Sequence, residues 1–312
     1  MNYLAGWVTL LMYLGFFWQR WRTWWRRLVT ALARWEAPVL LLLLPVILST
    51  LPRPHPLLLL DYLVYLAIPT ILLRLASRYR RFTPLLYTLT VLAIWLPLET
   101  DLFALPFARL LARQPSDFFG ALSLPDVAAG LLPQVDLPVA KLTGILLALY
   151  LFLVRQPLPG IGFDLRLRRS DLASALVGLL AFAVIGIPLG LSLRFLRFNP
   201  VLPTLPELLA MIIGGYLLVA LAEELLFRGI IQNLLGRRLH PLAALAVTAV
   251  IFGASHLNNA TPGFPVPNWA YMLMATLAGL AYGWVWWRTG RVTASALTHM
   301  LVNLSWGILF VT

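Results

Sequence analysis

Apolar runs recur along the whole chain, separated by short polar or proline-rich breaks. A helix needs about 17–25 mostly apolar residues to cross a bilayer, because lipid offers no partner for an unpaired backbone group. The pattern predicts helices at roughly 3–18, 37–52, 56–75, 83–99, 137–154, 171–192, 206–235, 241–257, 268–287 and 292–311. Several are short or broken by proline, so the expectation is an all-α polytopic membrane protein with eight to ten transmembrane helices.

Charge placement bears on that count. Arg20, Arg22, Arg26, Arg27 and Arg34 follow the first expected span, and Arg74, Arg78, Arg80 and Arg81 the third. Arg155, Arg166, Arg168 and Arg169 follow the fifth, Arg237 and Arg238 the seventh, Arg288 and Arg291 the ninth. The connections between these carry little net positive charge: Arg53 alone, a net acidic stretch from Glu99 to Asp136, Arg194 and Arg197 against Glu207, and an uncharged loop from Asn258 to Asn268. Arginine-rich loops stay cytoplasmic. The alternation therefore expects basic loops inside and both termini outside; the abundance of leucine and arginine with one lysine suggests a bacterial inner (plasma) membrane.

Composition agrees. The 312 residues are 61% hydrophobic and 12% charged, too little polar surface for a soluble protein of this length. Mean hydropathy is +0.85. The net charge of +12 is accounted for by the loops, where arginines meet lipid head groups, so nucleic acid is not expected as a partner. With no cysteine, thiolate catalysis, disulfides and Cys-ligated metals are excluded. The first apolar stretch lacks a basic leader and a small-residue cleavage site and reads as a retained helix. In QRWRTWWRRLVTALARW (19–35), tryptophan and arginine interleave as in an interfacial helix with aromatic anchors. The connection 100–136, with Phe118 and Phe119, is expected to carry short surface helices.

Against this background the ionisable residues inside spans stand out. They are Glu223, Glu224 and Arg228 in the seventh, His256 in the eighth, and His299 with Asn303 in the tenth. A buried ionisable group costs a few kcal/mol or more in lipid and normally faces protein. Glu224 and Arg228 are spaced i, i+4 and can pair. Glu223 points roughly 100° away, without a cation on its own helix. Phe252 and His256 share the i, i+4 spacing, as do His299 and Asn303. At about 1.5 Å per residue, Glu223 lies roughly 20 Å from Arg237, His256 roughly 22 Å from Pro241, and His299 and Asn303 roughly 12 and 18 Å from Arg291. Three helices thus bring polar groups to a similar middle layer. Each feature also has a structural reading: a buried ion pair, a hydrogen-bonded packing histidine, an asparagine bonding across helices. Asp61, near a span end, receives no role.

One carboxylate with no cation on its own helix, two imidazoles and an amide suit hydrolysis by an activated water. A carboxylate in a partly dry site can act as general base near neutral pH, with His256 helping to hold the water. His299 and Asn303 could donate to the developing oxyanion. Ser255 and Ser305 adjoin these residues in sequence but face other ways on a helix.

The motifs resemble those of the CPBP intramembrane proteases, to which the CAAX prenyl endopeptidases and the bacterial Abi-type proteins belong. EExxxR is Glu223-Glu224-Leu-Leu-Phe-Arg228, FxxxH is Phe252-Gly-Ala-Ser-His256, and HxxxN is His299-Met-Leu-Val-Asn303. The resemblance divides the chain into an N-terminal transmembrane helical region of unknown role, 1–165, and a CPBP-like protease region, 166–312. It implies an eight-helix core with a cavity open to membrane or cytosol, and an endopeptidase acting on a membrane-associated protein or peptide. By the same resemblance Glu223 is the water-activating base, His256 its partner, and His299 with Asn303 the oxyanion site. Glu224, Arg228 and Phe252 are supporting residues.

A metal-free, glutamate-dependent mechanism with no cofactor is the reading adopted for this family, which was earlier labelled metalloprotease. The alternative is zinc held by Glu223, His256 and His299 with water in the fourth position. No HExxH pair is present. A transporter would also bury Glu, His and Arg, but would be expected to show inverted repeats and spans broken at mid-depth. Pro188 with its neighbouring glycines is the nearest feature of that kind. A non-catalytic scaffold is the third class.

Overall fold

The computed structural model describes residues 2–32, 37–51, 56–100, 122–123, 136–137 and 139–311. They are overwhelmingly helical, and the strand pairs among them are two residues long. The helices relevant here are α1 Asn2–Gly15, α2 Gln19–Ala31, α3 Leu44–Thr50, α4 Pro56–Arg78, α5 Thr83–Thr100 and α6 Val139–Leu149. After these come α7 Arg169–Ser192, α8 Leu205–Gly236, α9 Pro241–Ala254, α10 Trp269–Thr289 and α11 Val292–Leu309. Each expected span coincides in large part with a helix, although 37–52 begins as a 3-10 helix at Ala37–Leu43 and 292–311 ends in the short strand Phe310–Val311. Those long and apolar enough to cross a membrane, among the described residues, are α4, α7, α8 and α11. Ala37–Leu48, Leu142–Arg155 and Pro241–Ala254 are apolar but shorter. At about 1.5 Å per residue the 14 residues of α9 reach roughly 21 Å, less than a hydrocarbon core of about 30 Å. The surface helices expected at 100–136, with Phe118 and Phe119, lie outside the described residues.

The chain forms two compact units that divide between Leu158 and Pro159. In the first, residues 142–154, which run from α6 into the wide π-helical turn Tyr150–Arg155 that continues it, are buried on every side. A helix hydrophobic all round belongs at the centre of its unit. The helix α2 covers part of it: Trp25 packs edge-on to Tyr150 at 5.5 Å, and the Arg26 guanidinium donates to the Leu153 carbonyl at 2.9 Å. Trp18 and Trp24 remain exposed, the arrangement that an amphipathic interfacial helix requires.

The second unit contains α7 to α11. At one of its ends, the loop after Pro159 meets the turn between α10 and α11. Arg291 forms a two-pronged bond to Asp164, at 3.0 and 2.7 Å, pairs with Asp171 at 3.0 Å, and donates to the Arg166 carbonyl. Burial alone would lower the Arg291 pKa, but the Asp164 and Asp171 carboxylates outweigh it and the pKa is raised. Arg237 donates to the Pro159 carbonyl at the same end, at 3.0 Å. At the other end, Arg197–Phe198 pairs antiparallel with Phe310–Val311, and Phe195 packs on Phe264, Tyr271 and Trp306. Between the ends, α9 and α10 approach so closely that a Cβ on Gly253 would lie 2.0 Å from Thr276 Oγ1 and 2.5 Å from the Met272 carbonyl.

Candidate active site

The helix α8 is the irregular element. It changes to π-helical winding at Gly215–Ala220, returns to α at Leu221–Glu224, and widens again at Leu225–Gln232. Such wide turns are frequent at functional sites. Glu223 and Glu224 occupy the short α segment between the two wide ones.

Glu224 is fully buried, and so is Arg228 one turn on. Their side chains pair at 3.1 Å. Arg228 also donates to the Gly279 carbonyl at 3.0 Å and lies over the Phe252 ring, 4.6 Å from its centroid. Glycine at 279 permits this: a Cβ there would sit 3.1 Å from Phe252 and 3.3 Å from the guanidinium. One turn along, Gln232 donates to the Gly283 carbonyl at 3.1 Å. Two rungs therefore tie α8 to α10 through backbone carbonyls laid open by missing side chains.

The other partners of Glu224 come from α11. Its Oε2 takes a 2.5 Å bond from the Ser295 hydroxyl, and its Oε1 lies 2.9 Å from His299 Nδ1. An acceptor there requires Nδ1 to carry the proton. The other ring nitrogen, Nε2, lies 3.9 Å from Glu223 Oε2. His299 thus stands between the two glutamates, of which Glu224 is sealed and Glu223 is 21% exposed. Tyr282 stacks on the His299 ring at 4.5 Å with only 14° between planes.

His256 lies outside its expected helix. The span predicted to 257 ends as a helix at Ala254, and His256 sits on the turn that follows. Ser255 Oγ and His256 Nδ1 both bond the Phe252 carbonyl, at 2.7 and 2.9 Å, and such local bonds compete with continuation of the helix. Phe252 lies edge-on to both histidines, with centroids 4.8 Å from His256 and 5.7 Å from His299. Tyr271 covers His256 at 4.9 Å and leads into the aromatic cluster of Phe195 and Trp306. Asn303, a turn beyond His299 on α11, is exposed.

The structure thus joins Glu223, Glu224, Arg228 and His299 through polar atoms and links His256 to them through Phe252. It leaves Asn303 at the rim. Sequence reasoning missed Ser295, Tyr282 and Gly279. Ser295 is one turn before His299 and so on its face, the signal that could have found it; Tyr282 offered none beyond an aromatic in an aromatic-rich helix. Among the described residues no group of three His, Cys, Asp or Glu side chains is close enough to hold a metal ion. As placed, Glu223, His256 and His299 do not form the ligand set that catalytic zinc requires.

Residues 205–305 match the family model described as type II CAAX prenyl endopeptidase Rce1-like. That segment, about a third of the chain, holds all three motifs, and the chain carries an Rce1-like domain there, consistent with the CPBP family. No curated protein and no solved structure matches the chain.

Proposed function

We propose that the protein is an intramembrane endopeptidase of glutamic type that hydrolyses a peptide bond of a membrane-associated protein or peptide. The domain match supports a protease. The observation that carries the mechanism is the inequality of the two glutamates. Glu224 is buried and held by Arg228, Ser295 and His299, whereas Glu223 is accessible and has His299 Nε2 at 3.9 Å. A carboxylate so held is a structural anchor; an accessible one beside an imidazole can exchange protons with water.

In this reading Glu223 removes a proton from a water as its oxygen attacks the substrate carbonyl. The C–N bond breaks in a second step, and the proton held by Glu223 passes to the leaving amine. His256, whose Nδ1 donates to the Phe252 carbonyl, turns Nε2 into the basic nitrogen of a second water contact. The Asn303 amide, next to His299 on α11, supplies a donor to the tetrahedral oxyanion; His299, expected to share that role, leaves it in this reading, because with Nδ1–H on Glu224 its neutral Nε2 accepts and does not donate. The finer topology belongs to the same proposal: eight to ten membrane helices, the basic loops cytoplasmic, an inner-membrane location, and no cofactor.

The test is cleavage of a membrane-anchored peptide by the purified full chain in detergent or nanodiscs. Glu223→Gln keeps the shape and removes the base, so kcat should fall at least about 1000-fold with the melting temperature unchanged. Undiminished cleavage by that variant would sink the assignment. Treatment with a strong chelator should leave the parent rate intact, and loss of activity restored by zinc would replace this mechanism with the metal one.

A further inference from the structure

Two residues outside the three motifs touch the His299–Glu224 couple, and neither touches Glu223 or the accessible side of the site by any described bond. Ser295 comes from α11 and Tyr282 from α10. The Ser295 hydroxyl bonds Glu224 Oε2 at 2.5 Å and lies 2.8 Å from the Tyr282 carbonyl. The Tyr282 ring lies flat on the imidazole. Both residues are buried, as are Glu224 and His299.

Their geometry restricts His299 in two ways. A flat ring against the imidazole face removes rotation about the bond that joins the imidazole to Cβ, since any large turn would drive ring edge into ring face. The Ser295 bond occupies Oε2 and keeps the Glu224 carboxylate from rotating. That fixes Oε1 as the acceptor opposite Nδ1, with the Arg228 guanidinium 3.1 Å from the same oxygen. A histidine whose one nitrogen is fixed on a carboxylate has its tautomer decided, because the proton must sit where the acceptor is. The remaining nitrogen then points at Glu223.

We infer that Ser295 and Tyr282 are positioning residues that lock His299 into one orientation and one tautomer, Nδ1–H toward Glu224 and Nε2 toward Glu223. The catalytic use of this lock rests on the proposed endopeptidase mechanism; the lock itself does not. Tyr282 acts through its ring, the part that meets the imidazole. Ser295 acts through its hydroxyl.

The experiment has an arm independent of activity. The chain contains four histidines, so ¹⁵N-histidine spectra of the full chain in micelles are sparse. Loss of one signal in His299→Gln assigns the residue. Neutral His299 should appear as a single Nδ1–H tautomer in the parent and in Tyr282→Phe. In Ser295→Ala and Tyr282→Leu it should appear as a mixture. In peptide cleavage, Ser295→Ala and Tyr282→Leu should each lose about tenfold to 100-fold in kcat with KM within about twofold, while Tyr282→Phe stays within about twofold of the parent. Ser295→Thr, which keeps the hydroxyl, should recover most of the tautomer signal.

A single unchanged tautomer in both Ser295→Ala and Tyr282→Leu overturns the lock, whatever their kinetics. So does a mixed or Nε2–H parent. A locked parent that cleaves no peptide supports the lock and counts against the endopeptidase reading alone. Equal losses in Tyr282→Phe and Tyr282→Leu would also overturn it, because they would place the effect in the hydroxyl.

Discussion

Arg228 shows how a buried charge is tolerated. Its guanidinium is fully buried, yet it has a carboxylate at 3.1 Å, a carbonyl at 3.0 Å and aromatic faces on Phe252 and Tyr282 at 4.6 and 5.4 Å. Removing it leaves Glu224 charged, buried and short of its cation. Arg228→Ala should therefore destabilise the protein by about 3–5 kcal/mol, read as a lower denaturation midpoint. Arg228→Lys should recover little, because an ammonium cannot lie flat between two rings while bonding both Glu224 and the Gly279 carbonyl. The double variant Glu224→Gln/Arg228→Met removes both charges and should be more stable than Arg228→Ala alone. A double variant no better than the single would mean that charge is not what the pair contributes. The i, i+4 spacing made this pair legible in the sequence. The other two partners of Glu224, His299 and Ser295, were not legible as its partners, since no local rule says which face of α11 meets α8.

At the scale of elements, the helices and their order could be read from hydropathy, but their regularity could not. The stop of α9 at Ala254 accompanies side chains that bond the Phe252 carbonyl, and the second wide turn of α8 carries the Arg228 and Gln232 side chains that bond α10 carbonyls; a period count registers neither. That is why His256 was expected inside a span and lies on a turn instead. Close approach is similarly hidden: Gly253 looks like any glycine in an apolar run, yet it marks where α9 meets α10. A methyl there would overlap both Thr276 Oγ1 and the Met272 carbonyl. Gly253→Ala should cost about 1–3 kcal/mol through forced separation of the helices. Adding Thr276→Ala should recover only part, because the carbonyl at 2.5 Å is backbone and stays. Complete recovery in a thermal melt would show that the side chain alone sets the approach.

The Arg291 clasp belongs to the same scale and has a pH signature with a definite sign. A cationic group whose folded pKa is raised contributes stability that is whole below its unfolded pKa and is lost only as pH rises through the folded one. For a guanidinium both values lie above any working pH. The gap in melting temperature between the parent and Arg291→Met should thus stay constant from about pH 7 to about pH 9. A gap that closes within that window would assign the clasp's strength to some other titrating group.

On the scale of the whole molecule, charge alternation along the sequence and geometry within the second unit make one argument from independent data. The loop after Pro159 is joined to Arg237, which follows α8, and to Arg291, which precedes α11. Three arginine-bearing connections therefore meet at one end of that unit. The other end holds the Arg197–Phe198 and Phe310–Val311 pair and the contact of Phe195 with Phe264, from the uncharged loop. If positive charge marks the cytoplasmic side, these two ends lie on opposite sides of the membrane. The absence of cysteine makes a direct measurement possible, because any introduced thiol is unique. Arg238 and Asn258 are both exposed, one at each end. In intact cells a membrane-impermeant maleimide should label Asn258→Cys and spare Arg238→Cys, and permeabilising the membrane should make the second reactive. Labelling of both, or the reverse order, would reject the orientation.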